Sequence, residues 1–184
     1  MKRDMKKLFM IIVLAVAGNM AAQGQTSAGT AKKATGVVAD IRKRYAEAKE
    51  RQEYRKKAEL PPNETVVTSD YMAAGAGPIK DVTHYYYSGD FDEDLGREVY
   101  SVEFMSRKYN VGAIEYYQEF LFDGEESLIF YFEKSGTNET RYYWGKDGLA
   151  KEDVKGDRLM DEVFASRLSY ELKNAFHLLM NREF

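Results

Sequence analysis

The sequence predicts a single α+β domain: an antiparallel, curved β-meander of six to seven strands, packed with an amphipathic helix at each end of the chain. Apolar residues recur at helical spacing in residues 35–59 and again in residues 157–181. Between these two segments the apolar residues alternate with polar ones, and short turns such as Asp123-Gly124 separate the alternating runs. Consecutive strands with such short connections pair as antiparallel neighbours, and two helices with one apolar stripe each can cover the sheet they form.

The first 22 residues are expected to be a secretory signal. A basic stretch, residues 2–7, precedes an apolar run from Leu8 to Ala17, and small and polar residues follow it. The run is shorter than the roughly 20 apolar residues that cross a bilayer, so we expect cleavage after Ala22 and no membrane span in the mature chain. An uncleaved membrane anchor is the alternative, because Met20 is a poor residue three positions before the cleavage site. The sequence therefore predicts a periplasmic or secreted protein.

Charge and cysteine content exclude several kinds of site. Removal of residues 1–22 takes away four basic residues and one acidic residue, so the formal net charge changes from −3 to −6. A mildly acidic chain argues against a nucleic-acid partner, which requires a clustered basic surface. Because the chain has no cysteine, it has no disulfide, no thiolate metal site and no thiol nucleophile. The domain must be held together by burial, and its length suits one domain with a core of its own.

The N-terminal part of the mature chain is expected to change from coil to helix. Residues 23–34 are small and polar, which predicts a flexible segment, and the folded domain is expected to span residues 35–184. A helix is predicted from Thr35 to Glu59, and Pro61-Pro62 ends it. The apolar stripe of this helix consists of Val38, Ile41, Tyr45 and Ala48. Its later turns mix both signs of charge, which favours a solvated face over contact with a membrane or a partner.

Seven alternating segments predict the sheet, and they cover residues 64–71, 81–88, 97–109, 112–122, 127–134, 139–145 and, as a short last strand, 149–154. The segment between the first two strands contains Gly75 and Gly77 and is expected to be a mobile loop. Alternation indicates a core on one side of the sheet only, formed by Tyr100, Val102, Phe104, Ile114, Tyr116, Phe120, Phe122, Leu128, Phe130, Phe132, Tyr142 and Trp144.

A second helix is predicted to end the chain, from about Asp157 to Asn181. Its apolar stripe is wide enough to bury and consists of Met160, Phe164, Leu168, Leu172, Ala175, Phe176 and Leu179.

Tyrosine is the most distinctive residue type for function, with 14 in the chain. Five of them alternate with the predicted core positions and would lie together on the outer face of the sheet: Tyr85, Tyr87, Tyr117, Tyr131 and Tyr143. A tyrosine ring buries area while its hydroxyl keeps a hydrogen bond, so such a face suits a glycan, a peptide or a protein partner. The alternative is that these tyrosines only make cross-strand pairs or lie under a helix.

The acidic stretch of residues 88–98 contains a candidate calcium site. Asp90, Asp92 and Asp94 stand at alternate positions, as the first ligands of a calcium loop do, and Glu98 is a candidate fourth ligand. The match to a helix–loop–helix calcium site ends there, because Gly96 comes one position late and both flanks predict strands. The alternative is a charged loop between two strands that contacts only solvent.

Catalytic motifs are absent from the sequence. The two histidines, His84 and His177, are far apart, and no zinc-protease, nucleophile-elbow or phosphate-loop pattern occurs. A small periplasmic hydrolase would have to use His84 or the carboxylates of Glu98, Glu103 and Glu115.

We therefore expect an exported, non-catalytic binding or interaction protein that uses an aromatic-rich sheet face or cavity. Its partner would be an unknown ligand or protein in the cell envelope or outside it. The alternatives are the hydrolase and a calcium-stabilised structural protein, and calcium is the one cofactor that the sequence suggests.

Overall fold

The computed structural model describes residues 20–59 and 63–181, with side chains from Ala34 onward. The chain divides into two compact units, Met1–Val37 and Val38–Phe184. Helix α1 spans Met20–Lys57. All but the last three residues of the expected secretory signal lie outside the described residues, so its cleavage stays a prediction.

Helix α1 begins fifteen residues before Thr35, so the predicted start of this helix is wrong. Residues 23–34, which were expected to be flexible, form helical backbone in the structure. Alanine, glutamine and lysine make up more than half of this segment. All three are good helix formers, and no proline interrupts them, so the two glycines alone do not end the helix.

Seven strands and a second helix follow: β1 (Glu64–Ala73), β2 (Gly77–Asp92), β3 (Arg97–Val111), β4 (Ile114–Phe122), β5 (Leu128–Ser135), β6 (Asn138–Gly145), β7 (Gly148–Lys155) and α2 (Glu162–Met180). Every predicted strand is present. The glycine-containing segment after residue 71 is a hairpin and not a loop, because β1 and β2 pair as far as Ala73 and Gly77.

The strands form one antiparallel sheet in which each strand pairs with the next along the chain, from β1 to β7. The sheet is open, with β1 and β7 as its two edges. This confirms the α+β meander with a helix at each end of the chain.

Three register shifts change which residues share a face of this sheet, and both faces carry apolar residues. The shifts lie between Tyr86 and Tyr87, between Leu121 and Phe122, and between Tyr143 and Trp144, each opposite one extra residue on the partner strand. Such a bulge moves the residues beyond it to the other face of the sheet.

The predicted one-sided core is therefore wrong, because each helix covers one face. The face under α2, called the α2 face, carries Tyr85, Val102, Met105, Phe120, Phe122, Tyr131 and Tyr142. The face under α1, called the α1 face, carries Tyr86, Phe104, Leu121, Phe130 and Tyr143, which lie in one row across the strands.

Helix α2 starts later than Asp157, because Asp161 caps it: the Asp161 side chain accepts the N–H of Phe164 at 2.9 Å. The helix packs on the core through Ala165, Leu168, Leu172, Phe176 and Met180. Three residues of its predicted apolar stripe, Phe164, Ala175 and Leu179, are exposed. Neither described helix has a stretch long and apolar enough to cross a membrane.

Candidate functional site

The middle of α1 is fixed to the α1 face by its apolar stripe. Val38, Ile41 and Ala48 are buried. The ring centroid of Tyr45 lies 6.1 Å from that of Phe104 and 5.1 Å from that of Phe130. These spacings are typical of favourable aromatic pairs, so the predicted stripe is the contact surface of this helix.

A groove opens where the last turns of α1 pass over β1, β2 and β3. Its volume is about 650 Å³, which lies within the range of about 300–1,000 Å³ that small-molecule sites occupy. The helix contributes Lys49, Arg51, Gln52, Glu53, Arg55 and Lys56, and Glu59 follows it; the strands contribute chiefly Glu64, His84, Tyr86, Glu103, Ser106 and, from β4, Tyr117.

Two half-buried tyrosines line the sheet side of this groove. Burial raises the pKa of Tyr86 to about 12, so its hydroxyl stays protonated at neutral pH and can donate a hydrogen bond. The hydroxyl of Tyr117 donates to Glu119 Oε1 at 2.6 Å, and burial raises the pKa of Tyr117 as well. Both rings therefore stay neutral and offer apolar area beside a polar group.

Charged groups of both signs surround these rings, and several are paired. Lys49 Nζ lies 2.9 Å from Glu119 Oε1. Across the groove, Arg51 Nη2 lies 3.4 Å from Glu103 Oε2.

His84 Nδ1 lies 2.5 Å from Glu64 Oε1 at the edge of the sheet. The groove thus presents donors and acceptors side by side, an arrangement suited to a polar ligand that carries both.

A smaller pocket of about 240 Å³ is lined by Arg42 and Tyr45 of α1 and by residues of β5 and β6. The guanidinium of Arg42 lies 5.5 Å from the ring centroid of Tyr143, and that of Arg141 lies 4.6 Å from that of Phe132. The first of these cation–π contacts joins α1 to the sheet, and the second joins two neighbouring strands, β5 and β6. The pocket is smaller than typical ligand sites, so the groove is the better candidate.

The five tyrosines expected on one outer face are divided between the two faces. Tyr85, Tyr87 and Tyr131 lie on the α2 face, because Tyr85 and Tyr131 stand opposite Met105 and Phe120 in the register. Tyr117 and Tyr143 lie on the α1 face, as their partners Lys108 and Phe130 do.

The expectation that they form one open platform is therefore wrong. Tyr85, Tyr131 and Tyr143 are at most 3% exposed, because each lies under one of the two helices. Of the five, Tyr117 lines the groove from the α1 face, and Tyr87 borders the groove although its ring packs on Phe176 on the α2 face.

The acidic residues 90–98 lie at the β2–β3 hairpin, where carboxylates accept hydrogen bonds from residues close to them in the sequence. Asp92 Oδ1 accepts the N–H groups of Asp94 and Leu95, each at 3.0 Å, and Glu98 Oε2 accepts the Tyr100 hydroxyl at 2.6 Å. Within residues 20–59 and 63–181, no group of three or more His, Asp or Glu side chains is placed to hold a metal ion. A calcium site formed by Asp90, Asp92, Asp94 and Glu98 stays a prediction.

Of the residues considered for hydrolysis, His84 and Glu103 both line the groove, whereas Glu115 lies apart from them. Glu115 lies opposite Asn110, seven residues along β3 from Glu103, which corresponds to about 20 Å at the rise of a strand. His84 lies in the groove with Glu64.

His177 lies on the other helix, with its Nε2 3.0 Å from Glu126 Oε2. The two histidines therefore belong to separate surroundings.

Sequence reasoning missed two buried polar groups. Glu119 stands at a polar position of the alternation, but α1 covers it, and only the pairing of Tyr45 with Lys49 at i,i+4 signals a helix face that approaches a carboxylate.

The second is a network on the α2 face, where Arg107 Nε donates to both carboxylate oxygens of Asp81 at 3.0 Å. Its Nη1 bonds Gln118 Oε1 at 3.2 Å, and Gln118 Nε2 donates to Glu133 Oε1 at 2.9 Å.

Comparison of this chain with protein families, with curated proteins and with solved structures finds no match.

Proposed function

We propose that this chain is an exported, non-catalytic binding protein and that its ligand occupies the groove between α1 and strands β1–β3. The observation that carries the proposal is the groove itself. It is large enough for a small ligand, and it places the half-buried rings of Tyr86 and Tyr117 among side chains that both donate and accept hydrogen bonds.

This composition favours a polar ligand over a hydrophobic one. The Arg51–Glu103 ion pair and the His84–Glu64 contact supply polar groups in the groove, and the tyrosine rings supply apolar area beside them. A short glycan or a peptide segment combines donors, acceptors and apolar surface in the same way.

The binding proposal is tested by titrating the isotopically labelled protein, residues 23–184, with a panel of oligosaccharides and a panel of short peptides. Amide shifts that cluster at β1–β3 and at the last turns of α1 support the proposal, and the panel that produces them identifies the ligand class. Tyr86→Ala is expected to weaken binding by about tenfold, since it removes one ring of the groove.

Tyr170→Ala is the matched control, because Tyr170 is 62% exposed on α2 and the sheet separates it from the groove. Thermal unfolding of both variants checks that they fold. The proposal fails if no probe shifts the groove amides, or if Tyr86→Ala binds as tightly as the unchanged protein.

Export is tested separately with the full chain in a Gram-negative host. The mass of the protein recovered from the periplasm is expected to correspond to a chain that begins at Gln23. A chain retained in the cytoplasm at full mass would contradict export and leave the groove experiment unaffected.

A further inference from the structure

The outer edge of β1 is an unprotected strand edge. β1 pairs with β2 through ten consecutive residue pairs with no register shift, and residues 65–69 are uncharged and contain no proline. Its outward side has no strand partner in the described part of the chain. Such an edge presents a row of free N–H and C=O groups to another strand.

The opposite edge of the sheet is protected. β7 carries charged side chains at four of its eight positions, Lys151, Glu152, Asp153 and Lys155. A register shift interrupts its pairing with β6. Charges and bulges are the devices by which natural sheets block edge-to-edge pairing. β1 lacks both devices in its centre.

The hydrogen bonds between β1 and β2 determine which backbone N–H and C=O groups of β1 point away from β2. Tyr87 N–H donates to the carbonyl of Asn63 at 3.2 Å. Asn63 and every second residue after it therefore bond β2, and the residues between them direct their backbone groups outward. The outward set is Glu64, Val66, Thr68, Asp70 and Met72.

We propose that this edge pairs with the same edge of a second copy of the chain, antiparallel and about a twofold axis at Thr68. Two sheets would thereby join into one continuous sheet. A twofold contact uses the same patch on both copies, so the patch must be complementary to itself. The charges of β1 meet this condition in the register centred on Thr68.

In the register centred on Thr68, both carboxylates of β1 face uncharged residues. Asp70 stands opposite Val66 of the second copy, and Glu64 stands opposite Met72. Centring the pair one residue earlier, on Val67, would put Glu64 opposite Asp70, and opposed like charges destabilise a strand pair. Centring the pair one residue later, on Ser69, gives a pairing of equal length but leaves Glu64 of each copy outside it. The register at Thr68 is therefore the one that pairs all five outward residues without directly opposed carboxylates.

The side chains of β1 also gain from this pairing. Val66 is 50% exposed, Tyr71 49% and Met72 76%, and each would be partly covered by the second strand. Tyr71 would stand opposite Thr65, an aromatic pair with a β-branched residue of the kind that stabilises neighbouring strands.

The test measures the association of residues 23–184 by sedimentation over a range of protein concentrations. The unchanged protein is expected to form a concentration-dependent dimer. Thr68→Lys places two ammonium groups side by side at the axis and is expected to lower the association constant by about tenfold or more. Thr68→Glu is expected to do the same, and an equimolar mixture of the two variants is expected to dimerise again.

Val154→Lys is the control on the other edge, because Val154 is 42% exposed on β7. It is expected to leave association unchanged, and thermal unfolding of each variant checks the fold. A protein that stays monomeric at every concentration overturns the proposal. So does a dimer that survives Thr68→Lys, one that Val154→Lys abolishes, or a mixture that fails to recover association.

Discussion

Each face of the sheet buries a glutamate, and the surroundings of the two differ. Glu119 lies on the α1 face and is 2% exposed. It accepts three hydrogen bonds: from the Tyr45 hydroxyl at 2.5 Å, from Lys49 Nζ at 2.9 Å and from the Tyr117 hydroxyl at 2.6 Å. Both of its oxygens are satisfied, and two of the three donors come from α1.

Glu133 lies on the α2 face, opposite Gln118 in the register, and is 1% exposed. Its Oε1 accepts bonds from Gln118 Nε2 at 2.9 Å and from the Tyr109 hydroxyl at 3.3 Å. Its Oε2 has no hydrogen-bond partner among the described groups. Burial raises the pKa of Glu133 above the usual range of a carboxyl group.

The comparison shows that equal burial has opposite consequences for two carboxylates. Glu119 joins a helix to the sheet, because its charge is paired and bonded. Glu133 is an incompletely satisfied charge, and a buried charge that lacks partners costs stability.

The largest expected effect comes from Glu119→Gln. The amide has one acceptor oxygen where three donors converge, and Lys49 loses its carboxylate. We expect the free energy of unfolding to fall by about 2–3 kcal/mol, measured by urea denaturation. Because α1 forms one wall of the groove, amide hydrogen exchange in residues 45–57 is expected to rise as well. An unchanged midpoint would show that Glu119 does not hold α1 to the sheet.

The same substitution on the other face is expected to have the opposite sign. Glu133→Gln keeps an acceptor for Gln118 and replaces a buried charge by a neutral group, so we expect a gain of about 1 kcal/mol at pH 7.

The gain is expected to depend on pH. Because the pKa of Glu133 is higher in the folded chain than in the unfolded chain, the folded chain binds the proton more tightly. The resulting stability is present at low pH and is lost as the pH rises from about 4.3, the unfolded value, through the raised folded value. Unfolding midpoints of both proteins between pH 4 and pH 8 check this, and a difference that does not grow with pH would contradict it.

The strands and their order were predictable because their ends are marked by local residues. Turns such as Asp123-Gly124 and Lys146-Asp147-Gly148 separate them, and each short connection forces antiparallel neighbours. The faces were not predictable. Tyr100 and Phe104 have the same parity in the sequence, yet a bulge between them places them on opposite faces.

The candidate site was predictable only in part for a related reason. Alternation correctly excluded Glu119 from an apolar set, but it contains no information on which polar position a helix will cover. The groove depends on how α1 crosses the strands, and that path is set by the contacts of Tyr45 with Phe104 and Phe130. These contacts join residues that are far apart in the sequence, so no local pattern reveals them.

The smallest expected effects separate the hydroxyl donors of the two faces. Tyr45→Phe removes a 2.5 Å bond to Glu119 and is expected to lower the free energy of unfolding by about 1–2 kcal/mol, as for other bonds to a charged acceptor. Tyr109→Phe removes a 3.3 Å bond to Glu133, which is longer than most hydrogen bonds of a hydroxyl, and is expected to cost less than about 1 kcal/mol.

Tyr109→Phe has a second readout that a purely structural role would not give. The hydroxyl of Tyr109 lowers the pKa of Glu133 against the larger effect of burial. Its removal is therefore expected to raise that pKa further, so that the free energy of unfolding keeps falling up to a higher pH. Tyr45→Phe leaves the surroundings of Glu133 unchanged and serves as the control in the same pH series. If both variants lower the free energy of unfolding equally and neither changes its pH dependence, the two carboxylates are held equally well. That result would contradict the difference between the two faces.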